Sequence, residues 1–501
     1  MPNFPLIFSG ILAVNVLVTV LSSERYKNYN KKKMIESSTS DSNSNSPTPA
    51  VNEEQRQAWQ RLVRKYLLVY LLATLSDWLQ GPYVYALYSD YGYSQHDIAV
   101  LFVAGFGSSM VFGSFVGGMA DWGGRRTFAV LFAVVYACSC LTKHFKNFNV
   151  LLLGRLLGGV STSLLFSVFE AWLIRAHNDA GLKAWLGKSF SWAAYGNSVV
   201  AITAGLVANK AASAVPMTAI QTGGQVYMGG YLNPFDIALV ALLGCGIAAL
   251  SLWEENYGDT DGSNDSSRGQ AHWYDGLQTA FTTTIRSQDV LLCGIISSLF
   301  EGSMYIFVFM WTPALTEGSD EALPFGLIFS TFMVSCMAGS SLFSIQIEKM
   351  RGERLAVIVF ATASAAMAGI ALSYSNTVKF LLMNVFEVTV GMYWPIYGTL
   401  KGVIVPESKR AAIYNLYRIP LNFIVLFSLL TDLTPTTSFL LNATMLGTAA
   451  VLQIILMKRR EMHGLTEKTD SNKADVLEDD VEASASQALL GGAPDKLDPS
   501  V

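Results

Sequence analysis

Gly-Gly-Met-Ala-Asp-Trp-Gly-Gly-Arg-Arg, residues 117–126, is a compact charged turn between two long apolar runs. The small residues let two helix ends approach closely, and Asp121 can pair with an arginine or with a helix N-terminus across the turn. Because 51% of the residues are hydrophobic and only 14% are charged, the turn indicates a cytoplasmic hinge between two membrane helices. The predicted gating residues of this hinge are Gly117, Asp121, Gly124, Arg125 and Arg126.

The apolar runs around the hinge are long enough to cross a bilayer. The mean hydropathy is +0.36, and several runs exceed the roughly 18 to 20 apolar residues that a span requires. These properties exclude an ordinary soluble protein of this length. Polar breaks divide the runs into two groups of six predicted spans: 66–88, 97–119, 127–142, 149–173, 187–208 and 235–253, then 289–311, 325–346, 355–373, 378–398, 411–431 and 435–457.

The lysines and arginines predict the orientation of these spans. If residue 65 lies in the cytoplasm, most of the cations between spans fall at the inner surface, Lys401 among them. Only Lys143, Lys146, Lys210 and Lys379 fall outside. This asymmetry follows the positive-inside rule and places the hinge on the cytoplasmic side.

The polar segments divide the chain into six predicted regions. An apolar stretch, residues 4–21, has its positive charges after it, which favours an uncleaved anchor over a cleaved signal peptide. The Ser-, Asn- and Pro-rich residues after it are typical of a flexible linker. The regions are an anchor (1–22), a cytoplasmic linker (23–60), a six-helix bundle (61–253), a central cytoplasmic loop (254–288), a second six-helix bundle (289–457) and a disordered cytoplasmic tail (458–501).

The two groups of six superpose with an offset of about 224 to 228 residues. Asp77 then matches Glu301, and Asp121 matches Glu348 in the second hinge, residues 347–354. A duplicated six-helix bundle places a substrate site at the midplane between two rocking halves. The predicted fold is therefore an all-α integral membrane protein of twelve helices in two bundles, with an extra N-terminal helix.

Two carboxylates lie near the middle of predicted spans. Asp77 and Glu301 are each about 12 residues, or roughly 18 Å, from the start of their helices. A carboxylate at that depth is costly unless it faces water, a cation or a proton. They could exchange protons for coupling or hold arginines that face an anion, and a purely structural hydrogen bond is the alternative. Gln80 is one turn beyond Asp77, and Tyr83 follows it.

Two arginines are candidate anion ligands. Arg155 lies in the fourth span and Arg418 in the eleventh, each about six residues deep. A guanidinium has forked donors that match two oxygens of a small oxyanion. The alternative is that each arginine extends to the interface or pairs with a carboxylate such as Asp77 or Glu301.

The remaining candidates carry less specific signals. Glu170 near the end of the fourth span could meet a hinge arginine, or could be a solvated charge. Glu387 has no neighbouring motif, and the aromatic residues around Pro395 suit either a pathway or packing. The five cysteines show no metal-ligand spacing and the five histidines are scattered, so we predict no metal, no cofactor, no enzyme and no nucleic-acid partner.

The turn at 117–126 resembles the loop signature Gly-x-x-x-Asp-x-x-Gly-Arg-Arg of the major facilitator superfamily. Four further segments are similar to the molybdate-anion transporter family within it: Asp-Trp-Leu-Gln-Gly-Pro-Tyr (77–83), Gly-Arg-Leu-Leu-Gly-Gly (154–159), Ser-Leu-Leu-Phe-Ser-Val-Phe-Glu-Ala-Trp (163–172) and Phe-Val-Phe-Met-Trp-Thr-Pro (307–313). The likeness covers most of residues 60–457. The second hinge departs from the signature, because Glu348 and Gly352 lack its full start.

The resemblance implies high-affinity uptake of molybdate through the plasma membrane by alternating access of two bundles. Arg155 and Arg418 would hold the anion, Asp77 and Glu301 would balance charge or accept protons as the coupling ion, and the hinge would open and close the inner side. Another solute such as a sugar is an alternative, because one scaffold serves many substrates. A membrane sensor that transports nothing is the third hypothesis.

Overall fold

The computed structural model describes residues 2–40, 53–113, 115–221, 223–258, 281–317, 322–347, 349–406 and 410–490. Its first half contains nine α-helices: α1 (Phe4–Ser40), α2 (Glu53–Gln80), α3 (Val84–Asp90), α4 (Gln95–Gly113), α5 (Val116–Gly123), α6 (Arg125–Thr142), α7 (Phe148–Asp179), α8 (Leu186–Ala214) and α9 (Asn233–Leu252). A 3-10 turn, Gly81–Tyr83, joins α2 to α3. Pro82 lies in this turn, where its missing N–H ends the regular helix.

The second half contains six long helices: α10 (Gln288–Thr316), α11 (Phe325–Gln346), α12 (Gly352–Leu372), α13 (Asn376–Ile404), α14 (Arg410–Leu430) and α15 (Pro435–Leu490). Residues 281–286 are also helical. Two short strands, Thr218–Ala219 and Tyr227–Met228, pair antiparallel between α8 and α9. They lie at the end of the bundle opposite the 117–126 turn, which we call the outer end; the end with the turn is the inner end.

The helix packing repeats between the halves. In the first half α2 packs on α8 and α9, and α6 and α4 both pack on α7, while α6 also meets α9. In the second half α10 packs on α14 and α15, and α12 and α11 both pack on α13, while α12 also meets α15. Each contact has its counterpart six spans later. The structure therefore has the two six-helix bundles that the duplicated sequence predicted.

The two halves meet through α8 with α11 and through α4 with α14. The contacts between them that close the outer end are both polar and aromatic. Gly326 N donates to Tyr83 Oη at 3.3 Å and Ser330 Oγ donates to the Ile202 carbonyl at 2.8 Å. Ring pairs reinforce this closure: Trp78 with Phe329, Tyr85 with Phe309, Phe102 with Phe309, and Phe106 with Tyr305. The outer end of the molecule is closed.

Ten helices in the described part of the chain are long and apolar enough to span a membrane. The helices α2 and α13 are not among them, and α14 offers only the shorter apolar segment Leu416–Leu430. These three helices contain Asp77, Glu387, Lys401 and Arg418. These charged side chains lower the mean hydropathy of the three helices.

The N-terminal helix α1 packs on α11 of the second half. Phe4 meets the Phe380 ring edge-on at 5.1 Å between centroids, and the hydroxyls of Thr19 and Ser341 are 3.1 Å apart. Its segment Phe4–Ser22 is one of the ten candidate spans. The predicted anchor therefore lies along the second bundle, outside the twelve helices of the repeat.

Several helix ends differ from the sequence expectation. The α1 helix continues to Ser40, and α2 already begins at Glu53, so helix occupies both ends of the predicted linker. The last helix α15 continues to Leu490, beyond residue 458 where we expected a disordered tail. Residues 458–490 are rich in Glu, Ala, Leu and Lys, which favour helix without an apolar face, and residues 27–33 contain four lysines. The prediction counted apolar residues and therefore ended the helices too early.

His144, just after α6, and Asp236, in the first turn of α9, form a pair at the outer end that predicts a pH effect on stability. His144 Nε2 lies 3.0 Å from Asp236 Oδ1. The hydrogen bond that His144 donates to Asp236 raises the pKa of His144, although burial opposes it. The added stability is fully present below the unfolded pKa of about 6.5 and is lost as pH rises through the folded value.

We therefore expect His144→Gln to lower the melting temperature by about 1–2 °C at low pH only, because Asp236 is half exposed and the pair contributes about 0.5–1 kcal/mol. Thermal melting of the purified protein from about pH 5.5 to about pH 8.5 measures this. An equal loss at both ends of the range would contradict a titrating pair.

Candidate functional site

Asp77 lies in α2 and faces α6. Tyr136 of α6 donates a hydrogen bond from its hydroxyl to Asp77 Oδ1 at 2.6 Å. Asp77 is half-buried, and it interacts electrostatically with Arg155 of α7. A short bond from a phenol to a carboxylate is charge-assisted and fixes the carboxylate in place. The side chain of Asp77 is therefore held between three helices.

Arg155 lies on α7, beside α4. Its Nε donates to the Leu101 carbonyl at 3.2 Å, and its guanidinium carbon lies 4.7 Å from the Phe102 ring centroid. No carboxylate among the described residues comes within ion-pair distance of Arg155. An arginine that is fixed by a carbonyl and a ring keeps the end of its guanidinium available for an anion. The Phe102 ring that it contacts also pairs with Phe309 of the second half, in the outer closure.

Glu301 lies in α10, at the position that the repeat matches to Asp77. Two groups from α13 contact its Oε1: the Tyr393 hydroxyl at 2.7 Å and Lys401 Nζ at 2.8 Å. The sequence placed Lys401 at or near the inner surface; it lies in the last turn of α13, and its ammonium group pairs with Glu301. Because α13 continues to Ile404, the long lysine chain reaches back along the bundle to the carboxylate.

The other predicted ligands are dispersed. Arg418 of α14 is exposed and interacts electrostatically with Tyr305, one turn from Glu301 on α10. Gln80 is buried and donates to the Ser76 carbonyl of its own helix at 2.9 Å, so it stabilises α2. Tyr83 contacts Asn209 and Gly326 at the outer closure. The structure thus places Asp77 in electrostatic interaction with Arg155, whereas Gln80 and Tyr83 bond to other groups.

The hinge turn contains the ion pair that its sequence suggested. Arg125 donates to Asp121 Oδ1 through Nη2 at 2.6 Å and through Nε at 3.0 Å, and Nη1 reaches the Ala171 carbonyl at 3.2 Å. These bonds connect the turn with α7. The arginine is largely buried while the aspartate is half exposed. Asp121 therefore orients Arg125 toward α7.

Glu255, which follows α9, caps the N-terminus of α6. Its carboxylate accepts from the backbone N–H of Arg126 at 2.7 Å and of Thr127 at 3.1 Å. Free N–H groups at a helix start favour a negative charge. Gly124 makes this contact possible: its φ is +92°, and an added Cβ would lie 2.6 Å from the Glu255 carboxyl carbon.

Two gating predictions have different outcomes. Glu170 is exposed, and in the described part of the chain it forms no ion pair with a hinge arginine. Arg125 donates a hydrogen bond to the Ala171 carbonyl. Arg126 faces Glu255, with 3.6 Å between its Nε and the carboxylate. Glu170 instead interacts electrostatically with Tyr66 and Tyr70 of α2. Glu348 lies outside the described residues, and Gly117 has open space around it.

The inner end of the second half has a matching charge cluster. Glu353, at the start of α12, lies 3.8 Å from both Arg351 and Arg460. Glu461 of α15 lies 3.2 Å from Arg351. The two halves therefore share one arrangement at the inner end. Glu255 after α9 contacts the start of α6, and Arg460 of α15 contacts the start of α12.

The Gly124→Ala substitution tests the hinge. We expect it to lower the free energy of unfolding by about 1–3 kcal/mol, because alanine disfavours a positive φ and its methyl group would displace Glu255. Chemical denaturation of the purified protein measures this. Gly117→Ala is the matched control, since its Cβ meets nothing within 4 Å. Because alanine favours helix more than glycine does, Gly117→Ala in α5 should not lower stability, and equal losses in the two variants would contradict a specific effect of the Glu255 contact.

Sequence analysis missed four important groups: Tyr136, Lys401, Glu255 and Lys143. Tyr136 is one of several aromatic residues in an apolar span, and nothing in its spacing points to Asp77. Glu255 fell in the predicted central loop. Lys143 was placed in an outer loop, but it is 1% exposed. Only a rule that searches for cations at the ends of apolar runs would have found Lys143 and Lys401.

Comparison with known proteins identifies the family. The family model described as sugar transporters with 12 transmembrane segments matches residues 38–384. The molybdate-anion transporters of Takifugu rubripes and Danio rerio are each 32% identical to the chain over 400 residues, which is 74% of the chain and 80% and 79% of these relatives. The chain belongs to the molybdate-anion transporter family of the major facilitator superfamily. This confirms the family that the sequence resembles.

Solved structures support the same fold for this transporter-family protein. A point mutant of the nucleoside transporter NupG has a TM-score of 0.62 at 13% identity, over 79% of this chain and 99% of that one. The peptide transporter POT in complex with sulfate has a TM-score of 0.59 at 12% identity, over 80% of this chain and 94% of that one. At such identities the likeness shows the fold alone. The protein is a multi-pass membrane protein with the transporter fold.

Proposed function

We propose that this protein takes up molybdate across the plasma membrane by alternating access of its two bundles. One observation supports an oxyanion most directly: the Arg155 guanidinium lies below the outer closure, and no described carboxylate is within ion-pair distance. The relatives at 32% identity are named molybdate-anion transporters. A forked cation without a paired carboxylate suits a tetrahedral oxyanion with several acceptor oxygens.

In the proposed cycle the anion binds between Arg155 and the second half. The closed outer contacts and the hinge arrangement correspond to an inward-facing state, from which the anion leaves to the cytoplasm. Arg418, near Tyr305, supplies the cation of the second half. Lys401 is already neutralised by Glu301 at 2.8 Å, and it becomes available if that carboxylate takes up a proton.

Protons are the coupling ion in this proposal. Asp77 and Glu301 each accept a bond from a tyrosine hydroxyl, so each carboxylate has a fixed position in which to gain or lose a proton. Uptake should rise as external pH falls. Asp77→Asn and Glu301→Gln should remove this dependence, and unchanged pH dependence in both variants would exclude coupling through these residues.

Radiolabelled molybdate uptake into proteoliposomes tests the function. Uptake above that of empty vesicles is expected, and tungstate should compete better than a sugar such as xylose. Arg418→Ala should reduce uptake, with Lys379→Ala as the control because it lies at the outer end of α13. Uptake of sugar but not molybdate would favour the second candidate, which rests on the sugar-transporter description of the family model. No transport of any solute would favour a sensor.

A further inference from the structure

Two buried polar side chains without partners meet at the outer end of the first bundle. Lys143, the residue after α6, is 1% exposed, and Tyr88 of α3 is fully buried. Neither Lys143 Nζ nor the Tyr88 hydroxyl has a hydrogen-bond partner among the described residues. Lys143 Nζ lies 5.7 Å from the centroid of the Tyr88 ring, so the two groups share one small space.

Arg155 completes this cluster from α7. It interacts electrostatically with both Lys143 and Tyr88. Lys143 lies against the same helix, because a Cβ added at Gly154 would be 3.2 Å from Nζ. The Tyr91 hydroxyl donates to the Lys143 carbonyl at 2.8 Å and holds the backbone in place. A lysine, an arginine and a phenol thus lie near one another, and each carries a hydrogen-bond donor.

This convergence is unfavourable without an anion. When Lys143 is protonated, it and Arg155 are two cations away from water that repel one another, and neither has a carboxylate within ion-pair distance among the described residues. The cluster also contains two unpaired buried donors, which are rare in native proteins. A tetrahedral oxyanion would satisfy the donors and neutralise the repulsion at once.

We propose that Lys143, Tyr88 and Arg155 form an outer oxyanion site, and that Lys143 takes up a proton from water when the anion binds. The site is filled while the outer end is open, before the anion passes inward. It rests on the proposed function for its substrate, molybdate. It adds a binding residue and a protonation site that are distinct from Asp77 and Glu301.

The titration of Lys143 supports this proposal. Burial, and then the charge of Arg155, lower the pKa of Lys143 to about 7, while Cys140 of α6 opposes them. The groups that face Lys143 in the described structure are Arg155 from α7, Tyr88 from α3 and Cys140 from the last turn of α6. Above pH 7 the free protein therefore holds a neutral lysine, and a bound anion favours its charged form.

The protonation of Lys143 determines how the affinity for molybdate changes with pH. Below about pH 7 Lys143 is already charged, so affinity for molybdate should be constant. Above it, each binding event takes up a proton, and affinity should fall by up to about tenfold per pH unit. Calorimetric titration of the full-length protein with molybdate, in two buffers that differ in ionisation enthalpy, measures both the affinity and the number of protons taken up.

Three variants separate this site from a structural role. Lys143→Met should weaken molybdate binding about tenfold or more and remove the pH slope. Lys143→Arg keeps a permanent charge, so it should bind molybdate without proton uptake at any pH. Lys146→Met is the control, because Lys146 is exposed in the same loop and should leave affinity and slope unchanged. Melting temperatures confirm that each variant is folded.

The outcomes distinguish the two proposals. Molybdate binding with wild-type affinity and slope in Lys143→Met would overturn the outer site and leave the proposed function standing. Binding of sulfate but not molybdate, with a slope that depends on Lys143, would overturn the substrate and support the site. If the wild-type protein bound none of molybdate, tungstate and sulfate, both proposals would be overturned.

Discussion

The Arg155→Ala variant is expected to lower molybdate uptake by about 30-fold or more. Removing the cation that an anion contacts in a dehydrated site costs about 2–5 kcal/mol, and 2 kcal/mol corresponds to roughly 30-fold. Arg155 is fixed by Leu101 and Phe102 and has no described carboxylate within ion-pair distance, so its charge is available to an anion. Initial rates of labelled molybdate uptake into proteoliposomes measure the effect.

The Arg155→Lys variant tests the geometry of this contact. Lysine keeps the charge but loses the fork and the Nε bond to Leu101, so we expect an intermediate loss of about tenfold. Arg175→Ala is the matched control on the same helix, because Arg175 pairs with Asp179 one turn away. That control should change uptake by less than about twofold. Normal uptake by Arg155→Ala would show that the anion binds elsewhere.

The sequence predicted the fold more completely than the site. The offset between halves matched Asp77 with Glu301, and the structure places both on equivalent helices, α2 and α10. Long apolar runs are local signals, because a bilayer requires internal hydrogen bonding within each helix. The duplicated packing then follows from the duplicated pattern.

The site depended on contacts that sequence spacing does not record. Tyr136 reaches Asp77 across 59 positions, and Lys401 reaches Glu301 across 100. Such pairs arise from the crossing of helices, which local periodicity does not determine. Lys143 was misplaced for a related reason. Because it follows a span, the sequence assigned it to the outer surface, but packing by α3 and α7 buries it.

The Gly326→Val variant is expected to reduce uptake by about tenfold or more, by preventing closure of the outer end. A Cβ at Gly326 of α11 would be 2.7 Å from the Asn209 nitrogen of α8 and still closer to the Gly205 carbonyl. Overpacking costs about 1–3 kcal/mol, which shifts a two-state equilibrium by roughly 5- to 150-fold. The protein should therefore remain open to the outside and release little substrate inside.

A conformational readout separates this trap from a simple loss of stability. An Asn209→Cys reporter should react faster with a membrane-impermeant maleimide in the Gly326→Val background, because the contact between α8 and α11 is opened. Gly205→Val should have the same effect from the other helix. Gly187→Val is the control on α8, since nothing lies within 4 Å of its added Cβ. Lost uptake with unchanged labelling would contradict the trap. The structure requires both effects together, because the same close contact excludes water from the outer end and permits release at the inner end.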